Sequence, residues 1–553
     1  MRLGIRRLKE FKSVDQGSPF QPLANPTFRN LWLWVTVSNL GTTIQSIGAA
    51  WLMTTISSQA EMVALVQTAT TLPIMLFSLA AGAISDNFDR RTVMLTAQCF
   101  MFVVSVILAI LGYLGGVSPW LLLLFTFLIG SGTALYNPAW QSSLGDFMPR
   151  EQLPAAVSLN SIAFNLMRSI GPAIGGSIVA VAGAAAAFAA NAASYVGLIV
   201  QLFRLKPAQA AATLPPEHLG PAMSAGLRYV FMSPNVGAIL LRSLILGFST
   251  VSIQALLPLV ARDLIGGGPV HYGTLLGSFG AGAIVAGLFG HRLRRRISSE
   301  SYMRLTHMGA AFAVGTLPFA GSLWLAMPIM MVGGAAWLLA FSFCNMSVQL
   351  STPRWVVGRA LAAYQTAAFG GMAVGSWFWG FLAERYGVEV SLQIAAVLIL
   401  VGTLVGFWLR MPELSGLNLN PAASRPAPKP SFDLKARSGP VVVMIEYAIN
   451  EEDVPAFLAV MRERRRIRRR NGAHAWTLKR DVEVGRFWIE TYHLPNWIEY
   501  LRHNQRTTQA DADVTRRLRE LHSLSEPPRI RRLVVRPVSA HRPKRVAGLS
   551  EMP

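Results

Sequence analysis

The stretch Gly82-Ala-Ile-Ser-Asp-Asn-Phe-Asp-Arg-Arg91 separates two long apolar runs. No charged residue occurs at 62–81 before it or at 92–116 after it. A helix needs about 20 apolar residues to cross the roughly 30 Å hydrocarbon core of a membrane, and both runs are long enough. The stretch therefore predicts a short charged loop between two membrane helices, with Arg90 and Arg91 marking its cytoplasmic side.

The composition indicates a membrane body followed by a soluble, basic tail. The 553 residues have a mean hydropathy of +0.40 and are 52% hydrophobic and only 14% charged. A net charge of +22 would favour nucleic acid as a partner. However, residues 1–410 hold 24 of the 50 Lys and Arg, nearly all between apolar runs, and residues 411–553 hold the other 26. We therefore predict the lipid bilayer as a partner and no nucleic acid.

Cysteine usage and the N-terminus exclude two further classes. Cys99 and Cys344 both lie inside apolar runs, so neither a disulfide framework nor a metal cluster is predicted, and no cofactor is implied. The basic N-terminal segment has no apolar core directly after it, so we do not expect a cleavable signal peptide.

Twelve apolar runs predict an all-α membrane protein with twelve transmembrane helices. The runs are 30–54, 62–84, 92–116, 119–144, 155–183, 187–203, 236–261, 272–290, 302–320, 325–350, 360–382 and 390–409. The predicted domains are a cytoplasmic N-terminal segment (1–29), two six-helix halves (30–204 and 236–410), a connector (205–235), a linker (411–436), a soluble domain (437–545) and a tail (546–553).

Loop charges predict the orientation. The basic residues on one side are Arg90, Arg91, Arg150, Arg204, Lys206, Arg228, Arg292, Arg294, Arg295, Arg296, Arg304, Arg354, Arg359 and Arg410, together with the N-terminal cluster. The other side has only Arg262 and Arg385. Because basic loops stay in the cytoplasm, both termini are expected there.

The sequence repeats weakly at an offset of 204 residues. Pro149-Arg150 recurs as Pro353-Arg354, Gly171 corresponds to Gly375, and Arg90-Arg91 corresponds to Arg294-Arg295. The shared loop arginines make chance matching a poor explanation. Two six-helix parallel repeats with a substrate path between them are therefore predicted.

The opening stretch resembles the loop between helices 2 and 3 of the major facilitator superfamily, whose pattern is Gly-x-x-x-Asp-x-x-Gly-Arg-Arg/Lys. Gly82, Asp86, Arg90 and Arg91 fit this pattern, and Asp89 replaces its second glycine. The resemblance implies that these residues form a gate at the cytoplasmic side. On residue chemistry alone, Gly82 would allow close helix approach, and Asp86 could pair across the loop or cap a helix.

A finer resemblance, over about residues 20–409, is to the transmembrane secretion effector branch of that superfamily, which includes enterobactin-exporter-like proteins. It rests on Phe28-Arg-Asn-Leu-Trp32, Ser38-Asn-Leu-Gly41, Asn137-Pro-Ala-Trp-Gln-Ser-Ser-Leu-Gly-Asp146, Asn165-Leu-Met-Arg-Ser-Ile-Gly-Pro172 and Gly358-Arg-Ala-Leu-Ala-Ala-Tyr-Gln365. It implies secondary active export across a bacterial cytoplasmic membrane, with protons as coupling ion.

The fifth run contains Gly171-Pro-Ala-Ile-Gly175-Gly176, which resembles the helix-5 motif of antiporters in the superfamily. Pro172 removes one backbone hydrogen bond and bends a helix, and the glycines permit close packing. The motif could therefore act as a gate. The alternative is a kinked, tightly packed helix without a gating role.

Arg168 lies about 20 Å along the same helix, near the middle of the membrane. An ionisable residue at this depth is costly and marks a function or a partner. Because arginine stays protonated, it suits a carboxylate, catecholate or phosphate rather than a transferred proton. A structural pairing with carbonyl or polar groups is the alternative. Arg242, near the start of the seventh run, is expected to extend to the membrane interface.

Four polar residues inside the runs are candidates for the substrate path, since helices 1, 5 and 11 face the cavity in the superfamily. They are Asn39, Gln45, Asn165 and Gln365. Hydrogen bonding between helices is an equally good explanation for each one.

Proton coupling has weak support in the residues. No Asp or Glu occurs well inside an apolar run, although coupling generally uses a membrane-embedded carboxylate or His. The candidate inside a run is His307, and Glu61 and Asp263 are alternatives at the outer rim.

The tail predicts an α+β ferredoxin-like domain. Strands are expected at 441–447, 476–480, 487–492 and 530–535, with helices at 452–470 and 496–523, in the order β-α-β-β-α-β. The domain resembles the dimeric barrels of antibiotic-biosynthesis monooxygenases, which implies dimerisation. The basic run 462–470 is expected to be a solvated face, with anionic lipid as the next interpretation and nucleic acid third.

Several functions remain open on sequence alone. The leading hypothesis is an exporter of a small anionic metabolite, such as a siderophore, that works by alternating access. The alternatives are a broad drug efflux antiporter, a transporter whose tail acts as an enzyme, and a membrane sensor that transports nothing. The scattered histidines and missing cysteines of the tail favour an accessory, dimerising or ligand-sensing module over an enzyme.

Overall fold

The computed structural model describes residues 20–149, 152–205, 219–353, 355–412 and 437–536, with a few short pieces between 419 and 435. For some helical residues, Asp86 and Asp146 among them, it describes the backbone only. Several predictions fall outside the described residues. They concern the segment before residue 20, the residues Arg150, Lys206 and Arg354, and most of the connector, the linker and the tail after residue 536.

The described residues fall into two compact units, and the larger one is built of helices. These are α1 Pro26–Ile56, α2 Ala60–Asn87, α3 Arg90–Tyr113, α4 Pro119–Phe147, α5 Leu153–Arg204, α6 Leu219–Met232, α7 Pro234–Leu259, α8 Pro269–Arg294, α9 Ser299–Thr316, α10 Leu323–Leu350, α11 Val357–Tyr386 and α12 Val388–Val405. Short helical turns occupy Gln21–Ala24, Val260–Leu264 and Leu317–Phe319.

The helix α5 is a helical run of 52 residues whose backbone breaks at Gly183. There φ is +76°, a conformation that glycine adopts without the steric cost of a Cβ. The break divides α5 into an N-terminal arm (153–182) and a C-terminal arm (184–204). With the arms counted separately and the short α6 left out, the described part of the larger unit contains twelve long helices. The prediction of twelve helices in two groups of six is confirmed.

Eight described helical segments are long and apolar enough to cross a membrane on length and composition alone, and one of them, Ala155–Arg204, contains both arms of α5. The remaining long helices are α1, α9 and α11. Polar side chains lower their hydropathy, as in α9, which contains Glu300, Arg304 and His307. The chain is a multi-pass membrane protein.

Local sequence explains where helices begin. Asn25 accepts hydrogen bonds from the first amides of α1, and Pro26 follows it at the first helical position, where its missing N–H costs nothing. Asp89, which departs from the superfamily pattern, has φ −57° and accepts a 2.9 Å hydrogen bond from the Thr92 amide. This position therefore does not need glycine, because Asp89 caps the N-terminus of α3.

The smaller unit consists of β1 Val441–Ala448, α13 Val454–Arg470, β2 His474–Arg480, β3 Phe487–Leu494, α14 Trp497–Gln505, α15 Gln509–Glu520 and β4 Arg529–Val534. Its antiparallel sheet has the strand order β2-β3-β1-β4, with Val443 opposite Tyr492 and Arg532. The β-α-β-β-α-β order of a ferredoxin-like domain is confirmed.

One detail of the smaller unit differs from the sequence prediction. The second helix, expected to run unbroken over 496–523, is divided into α14 and α15. The reason is a capping box at Thr508, whose side chain accepts from the Asp511 amide while Asp511 accepts from the Thr508 amide. This pair starts a new helix.

Candidate functional site

The two halves, α1–α5 and α7–α12, meet mainly along two helix pairs, α2 with α11 and α5 with α8. In the α5–α8 pair, a Cβ added to Gly176 would lie 2.6 Å from the Pro269 carbonyl oxygen. A Cβ on Gly273 would lie 2.5 Å from the Pro172 carbonyl oxygen. Real Cβ atoms do not come this close to backbone, so the crossing requires glycine on both helices.

The predicted helix-5 motif divides its glycines between two neighbouring helices. Gly171 and Gly175 face α1, where an added Cβ would lie 2.9 Å from Thr43 and 3.1 Å from the backbone of Ile44, respectively. Gly176 faces α8 instead. The backbone stays helical at Pro172. The motif thus lies where α1, α5 and α8 meet, which is where movement between the halves would have to be accommodated.

The halves are fastened together at the end of the bundle that carries the α1–α2 turn, which we name the rim end. Glu384 of α11 accepts a 2.5 Å hydrogen bond from the Ala60 amide. Glu61 accepts one of 2.9 Å from the Trp377 indole. The guanidinium of Arg262, after α7, donates to the Thr54 carbonyl at 2.7 Å. We refer to these six residues as the rim clasp.

Two contacts of the rim clasp match the helix dipole. Ala60 is the first residue of α2, and Thr54 lies in the last turn of α1. An anion is favoured at a helix N-terminus and a cation at a C-terminus. Glu384 and Arg262, both from the second half, thus hold the two helix ends of the α1–α2 hairpin. Asp263, the other predicted rim carboxylate, forms an ion pair with Arg262 at 2.6 Å.

The opposite end of the bundle, the motif end, carries the charged α2–α3 loop. Arg91 donates to the carbonyls of Leu202 and Phe203 in the last turn of α5, at 2.7 and 3.0 Å. Arg90 donates to the Ser142 carbonyl of α4 at 2.9 Å. Both arginines thus join helix ends within the first half. The side chain of Asp86 lies outside the described residues.

The expectation that Gly82 allows close helix approach does not hold in this conformation. No described heavy atom lies within 4 Å of a Cβ built on Gly82. No described packing contact therefore explains the glycine at this position.

Arg168 lies at the boundary between the halves. Its guanidinium stacks over the indole ring of Trp337 in α10, 4.1 Å from the ring centroid. Trp337 is at the middle of its helix and contacts Phe341 and Phe279, with ring centroids 4.8 and 6.1 Å apart. Among the described residues, no carboxylate or carbonyl accepts a hydrogen bond from Arg168.

Two of the predicted path residues lie within about one turn of the level of Arg168 along the bundle. Asn165 is one turn earlier on α5, and its amide donates to the Ser161 carbonyl. The contacts of Gly171 with Thr43 and of Gly175 with Ile44 show that α1 runs parallel to this arm of α5. Asn39 is one turn before Thr43 and is therefore level with Arg168. Both asparagine side chains are half-buried.

The other two predicted path residues lie elsewhere. Gln45 is 4% exposed and its amide oxygen accepts hydrogen bonds from Ser105 of α3 and Asn191 of the C-terminal arm of α5. These are the contacts of the packing alternative. Gln365 is half-buried beside the α2–α11 seam, where its neighbour Thr366 contacts Ser78 at 2.9 Å.

His307 and Arg242 belong to one buried cluster within the second half. His307 is 3% exposed, contacts the Met303 carbonyl at 2.8 Å and packs beside Gly402 of α12. Arg242 is 2% exposed and forms a 2.6 Å ion pair with Glu300 of α9. The expectation that Arg242 extends to the interface stays a prediction. Its guanidinium is enclosed by protein and reaches Glu300, the second residue of α9, and the Leu409 carbonyl beyond the end of α12.

The smaller unit holds a second buried charge, Glu490 of β3, which is 0% exposed. Its carboxylate is 3.5 Å from Arg464 and 3.2 Å from Arg468, and it accepts hydrogen bonds from Trp476 and Tyr447. Burial alone would raise the pKa of Glu490, but the two arginines and these hydrogen bonds outweigh it and lower the pKa to about 2. The group is an ionised, fully bonded core residue.

The basic run of α13 is thereby divided between two faces. Arg464 and Arg468 point inward to Glu490, and Arg470 pairs with Asp511 at 2.7 Å. The outward face carries exposed arginines without a carboxylate partner among the described residues, namely Arg462, Arg465, Arg466 and Arg469. The prediction of a solvated face holds for these four only.

The sequence analysis did not predict three features: the contact of Trp337 with Arg168, the contact of Glu384 with Ala60, and the Arg242–Glu300 pair. Trp337 resembles any aromatic residue of an apolar run, so no local pattern distinguishes it. The Arg242–Glu300 pair could have been found, since two opposite charges in neighbouring spans of one half invite pairing.

Comparison with known proteins identifies related sequences along nearly the whole chain. A sequence profile of the family described as "Transmembrane secretion effector" matches residues 17–540. The chain is 29% identical to the staphyloferrin A transporter of Staphylococcus aureus over 252 residues, which are 45% of this chain and 63% of that protein. It is 24% identical to macrolide efflux protein A of Streptococcus pyogenes over 304 residues, 53% of this chain and 74% of that protein.

The fold also matches solved structures. A bacterial homologue of the human lysosomal transporter Spinster, crystallised in an inward-facing and unoccupied conformation, superimposes with a TM-score of 0.55 at 13% identity. The match covers 69% of this chain and 96% of that structure. At this identity the likeness concerns the fold alone.

Proposed function

Because the chain belongs to the transmembrane secretion effector family of the major facilitator superfamily, and is therefore a membrane transporter rather than an enzyme, we propose that it exports a small anionic metabolite by alternating access. A siderophore is one example of such a substrate. The related staphyloferrin A transporter supports this substrate class. Membership of the secretion effector family supports export as the direction of transport.

The proposal that the substrate is an anion rests mainly on the missing hydrogen-bond acceptor of Arg168. Its guanidinium offers five N–H donors, yet no described residue accepts from them. Arg168 is half-buried, and a cation held partly out of water without a counter-charge is costly. An anionic substrate that enters between the halves would supply the missing acceptor, and the half-buried Asn39 and Asn165 would add amide contacts beside it.

We further propose that the motif end faces the cytoplasm, with both termini. The arginines of the α2–α3 loop favour this side. The rim clasp would then close the external side, so this conformation would receive substrate from the cytoplasm. In the outward-facing state, Arg90, Arg91 and Asp86 would help to latch the cytoplasmic side, and the helix-5 motif would accommodate the movement at Pro172 and its glycines.

Proton coupling is part of the proposal and is assigned to the rim. Glu61 joins α2 to Trp377 of the other half, so its protonation would weaken a contact between the halves. Asp263 is already paired with Arg262, and His307 lies within one half. Glu61 is therefore the better candidate of the three.

Transport of a probe anion by the full chain in proteoliposomes tests the proposal. With labelled citrate as probe, an imposed proton gradient should drive uptake or release, and Arg168→Gln should reduce the rate at least tenfold. Arg292→Gln is the matched control, because the one contact of Arg292 among the described residues is its stacking on the exposed Phe289. Wild-type flux equal to that of empty liposomes, or full activity of Arg168→Gln, would refute the proposal.

A broad drug efflux antiporter is the second candidate, favoured by the aromatic group around Trp337 and by the likeness to macrolide efflux protein A. The two candidates differ in charge preference. Cells that produce the protein should gain resistance to macrolides and lipophilic cations if this candidate is right. In that case the loss of Arg168 should leave the resistance unchanged.

We also propose that the C-terminal domain dimerises through the sheet face that its helices leave open. This face carries Val442, Met444 and Ile489 at its centre and Leu533, 48% exposed, at its edge. Mass photometry of the full chain in detergent tests this. Ile489→Glu should yield monomers, whereas Val482→Glu, in the exposed β2–β3 turn, should not.

A further inference from the structure

The contact between Arg168 and Trp337 joins two side chains whose N–H donors have no acceptor among the described residues, a state that the Trp337 indole shares with those of Trp32 and Trp488. The indole N–H of Trp337 is buried and has no hydrogen-bond acceptor. The guanidinium stacked 4.1 Å above the same ring has no acceptor among the described residues either. Two donor groups, one from each half of the transporter, thus lie side by side without an acceptor.

Two arginines that are more deeply buried than the half-buried Arg168 both have carboxylate partners. Arg242 forms an ion pair with Glu300, and Arg464 forms one with Glu490. In both cases the fold supplies a carboxylate within 3.5 Å. A purely structural role for the half-buried Arg168 would favour a similar partner, because donors that lose water without gaining an acceptor cost desolvation free energy. The arrangement instead fits an acceptor that arrives with a ligand.

The surroundings of the donors are aromatic. Phe341 and Phe279 contact Trp337, at centroid distances of 4.8 and 6.1 Å. The three side chains come from α8 and α10, both in the second half. They form an apolar π surface directly beside the two donors, a combination that suits a ligand with a flat ring and an oxyanion on it.

We propose that Arg168 and Trp337 form a recognition site for aromatic carboxylates. The carboxylate would accept hydrogen bonds from the Arg168 guanidinium and the Trp337 indole, and the ring would pack against Phe341 and Phe279. This inference rests on the proposed function and specifies its substrate class. Because the donors belong to opposite halves, such a ligand contacts both halves at once.

Binding of 2-naphthoate to the full chain in detergent, measured by isothermal titration calorimetry, tests the inference. Decahydronaphthalene-2-carboxylate is the matched ligand, with the same charge and carbon skeleton but no π system. We expect wild type to bind 2-naphthoate at least tenfold more tightly. Trp337→Leu should remove this preference, Trp337→Phe should retain part of it, and Arg168→Gln should abolish binding of both acids.

The outcomes separate this inference from the proposed function. Equal affinity for the two acids, or a preference that survives in Trp337→Leu, would overturn the aromatic site and leave the anion exporter standing. Binding of neither acid would overturn the aromatic site, and the citrate flux would then decide the proposed function. Trp324→Leu controls for loss of a tryptophan in α10, because Trp324 is 79% exposed. All variants should keep the wild-type elution volume in size-exclusion chromatography.

Discussion

The carboxylate of Glu384, near the end of α11, accepts a hydrogen bond from the backbone amide of Ala60, the first residue of α2 in the other half. A negative charge at a helix N-terminus contributes about 0.3–1 kcal/mol, and up to about 2 kcal/mol where it is partly buried. This contact connects a side chain of one half to the backbone of the other. It therefore stabilises only the conformation in which the rim end is closed.

Glu384→Gln should shift the population toward a conformation open at the rim end. The amide keeps a hydrogen-bond acceptor but loses the charge that favours the helix N-terminus, so we expect a shift of about 2- to 30-fold, since about 1.4 kcal/mol corresponds to a factor of ten. Spin labels introduced at Ser57 and Tyr386 would report the opening as a longer distance. Glu389→Gln, on the neighbouring α12, should leave the distance distribution unchanged, and an equal response of both variants would contradict the dipole argument.

The glycine crossing of α5 and α8 gives a second prediction. Gly176→Ala places a Cβ 2.6 Å from a backbone oxygen of the other half, which can be relieved only by moving the helices apart. Overpacking of this kind costs about 1–3 kcal/mol, and it acts on the closed rim end in particular. We expect transport to fall at least tenfold while protein level is maintained.

The matched control is Gly145→Ala in α4, where no described atom lies within 4 Å of the added Cβ. This variant should transport normally and be slightly more stable, because alanine favours a helix by about 1 kcal/mol over glycine. If Gly176→Ala transported as fast as Gly145→Ala, the close crossing would not matter for function.

The buried pair of Arg242 and Glu300 should show strong coupling in a double-mutant cycle. Arg242 also donates to the Leu409 carbonyl, so the pair ties α7 and α9 to the end of α12. Removing Glu300 leaves Arg242, which is 2% exposed, without its carboxylate and should cost about 3–5 kcal/mol. Removing Arg242 should cost less, because Glu300 keeps Arg304 at 3.5 Å and the Met411 amide. Arg242→Leu with Glu300→Leu should restore much of the loss. Thermal unfolding of the full chain in detergent measures this, and simple additivity of the two single losses would contradict a buried pair.

Much of the architecture could be predicted from sequence because it depends on local patterns. Apolar run length determined the twelve helices, and glycine at 183 coincides with the break in α5. The four strands of the tail were also expected close to where the structure places them. Capping is also local, and Asp89 shows that a departure from a family pattern can be understood from the helix it begins.

The contacts between distant helices could not be predicted in the same way. Glu384 reaches Ala60 across 324 positions, and Trp337 reaches Arg168 across 169. Which polar residue lines a path and which one joins helices depends on helix rotation, which apolar runs do not encode. Gln45 and Asn39 illustrate this, since they lie six residues apart on α1 and only Gln45 is engaged in a buried network.

The stability of the C-terminal domain should fall as the pH drops below about 6.5, because of His503. Its burial and the positive charge of Arg468 lower the pKa of His503 from 6.5 to about 3. Between these values the unfolded chain binds a proton that the folded domain does not. The contribution of neutral His503 to the free energy of unfolding is therefore fully present above pH 6.5. It is lost toward pH 3, at about 1.4 kcal/mol per pH unit.

Glu490 acts in the same direction at lower pH. Its pKa is lowered from 4.5 to about 2 in the folded domain, so its contribution is present above pH 4.5 and is lost below it. Between pH 6.5 and 4.5 the slope should therefore belong to His503, and His503→Gln should flatten it. Urea midpoints of this domain in the full chain, followed by pulse proteolysis, measure the slope. His493→Gln, on the opposite face of the sheet, should retain it, and a slope that disappears in this control but persists in His503→Gln would contradict the assignment.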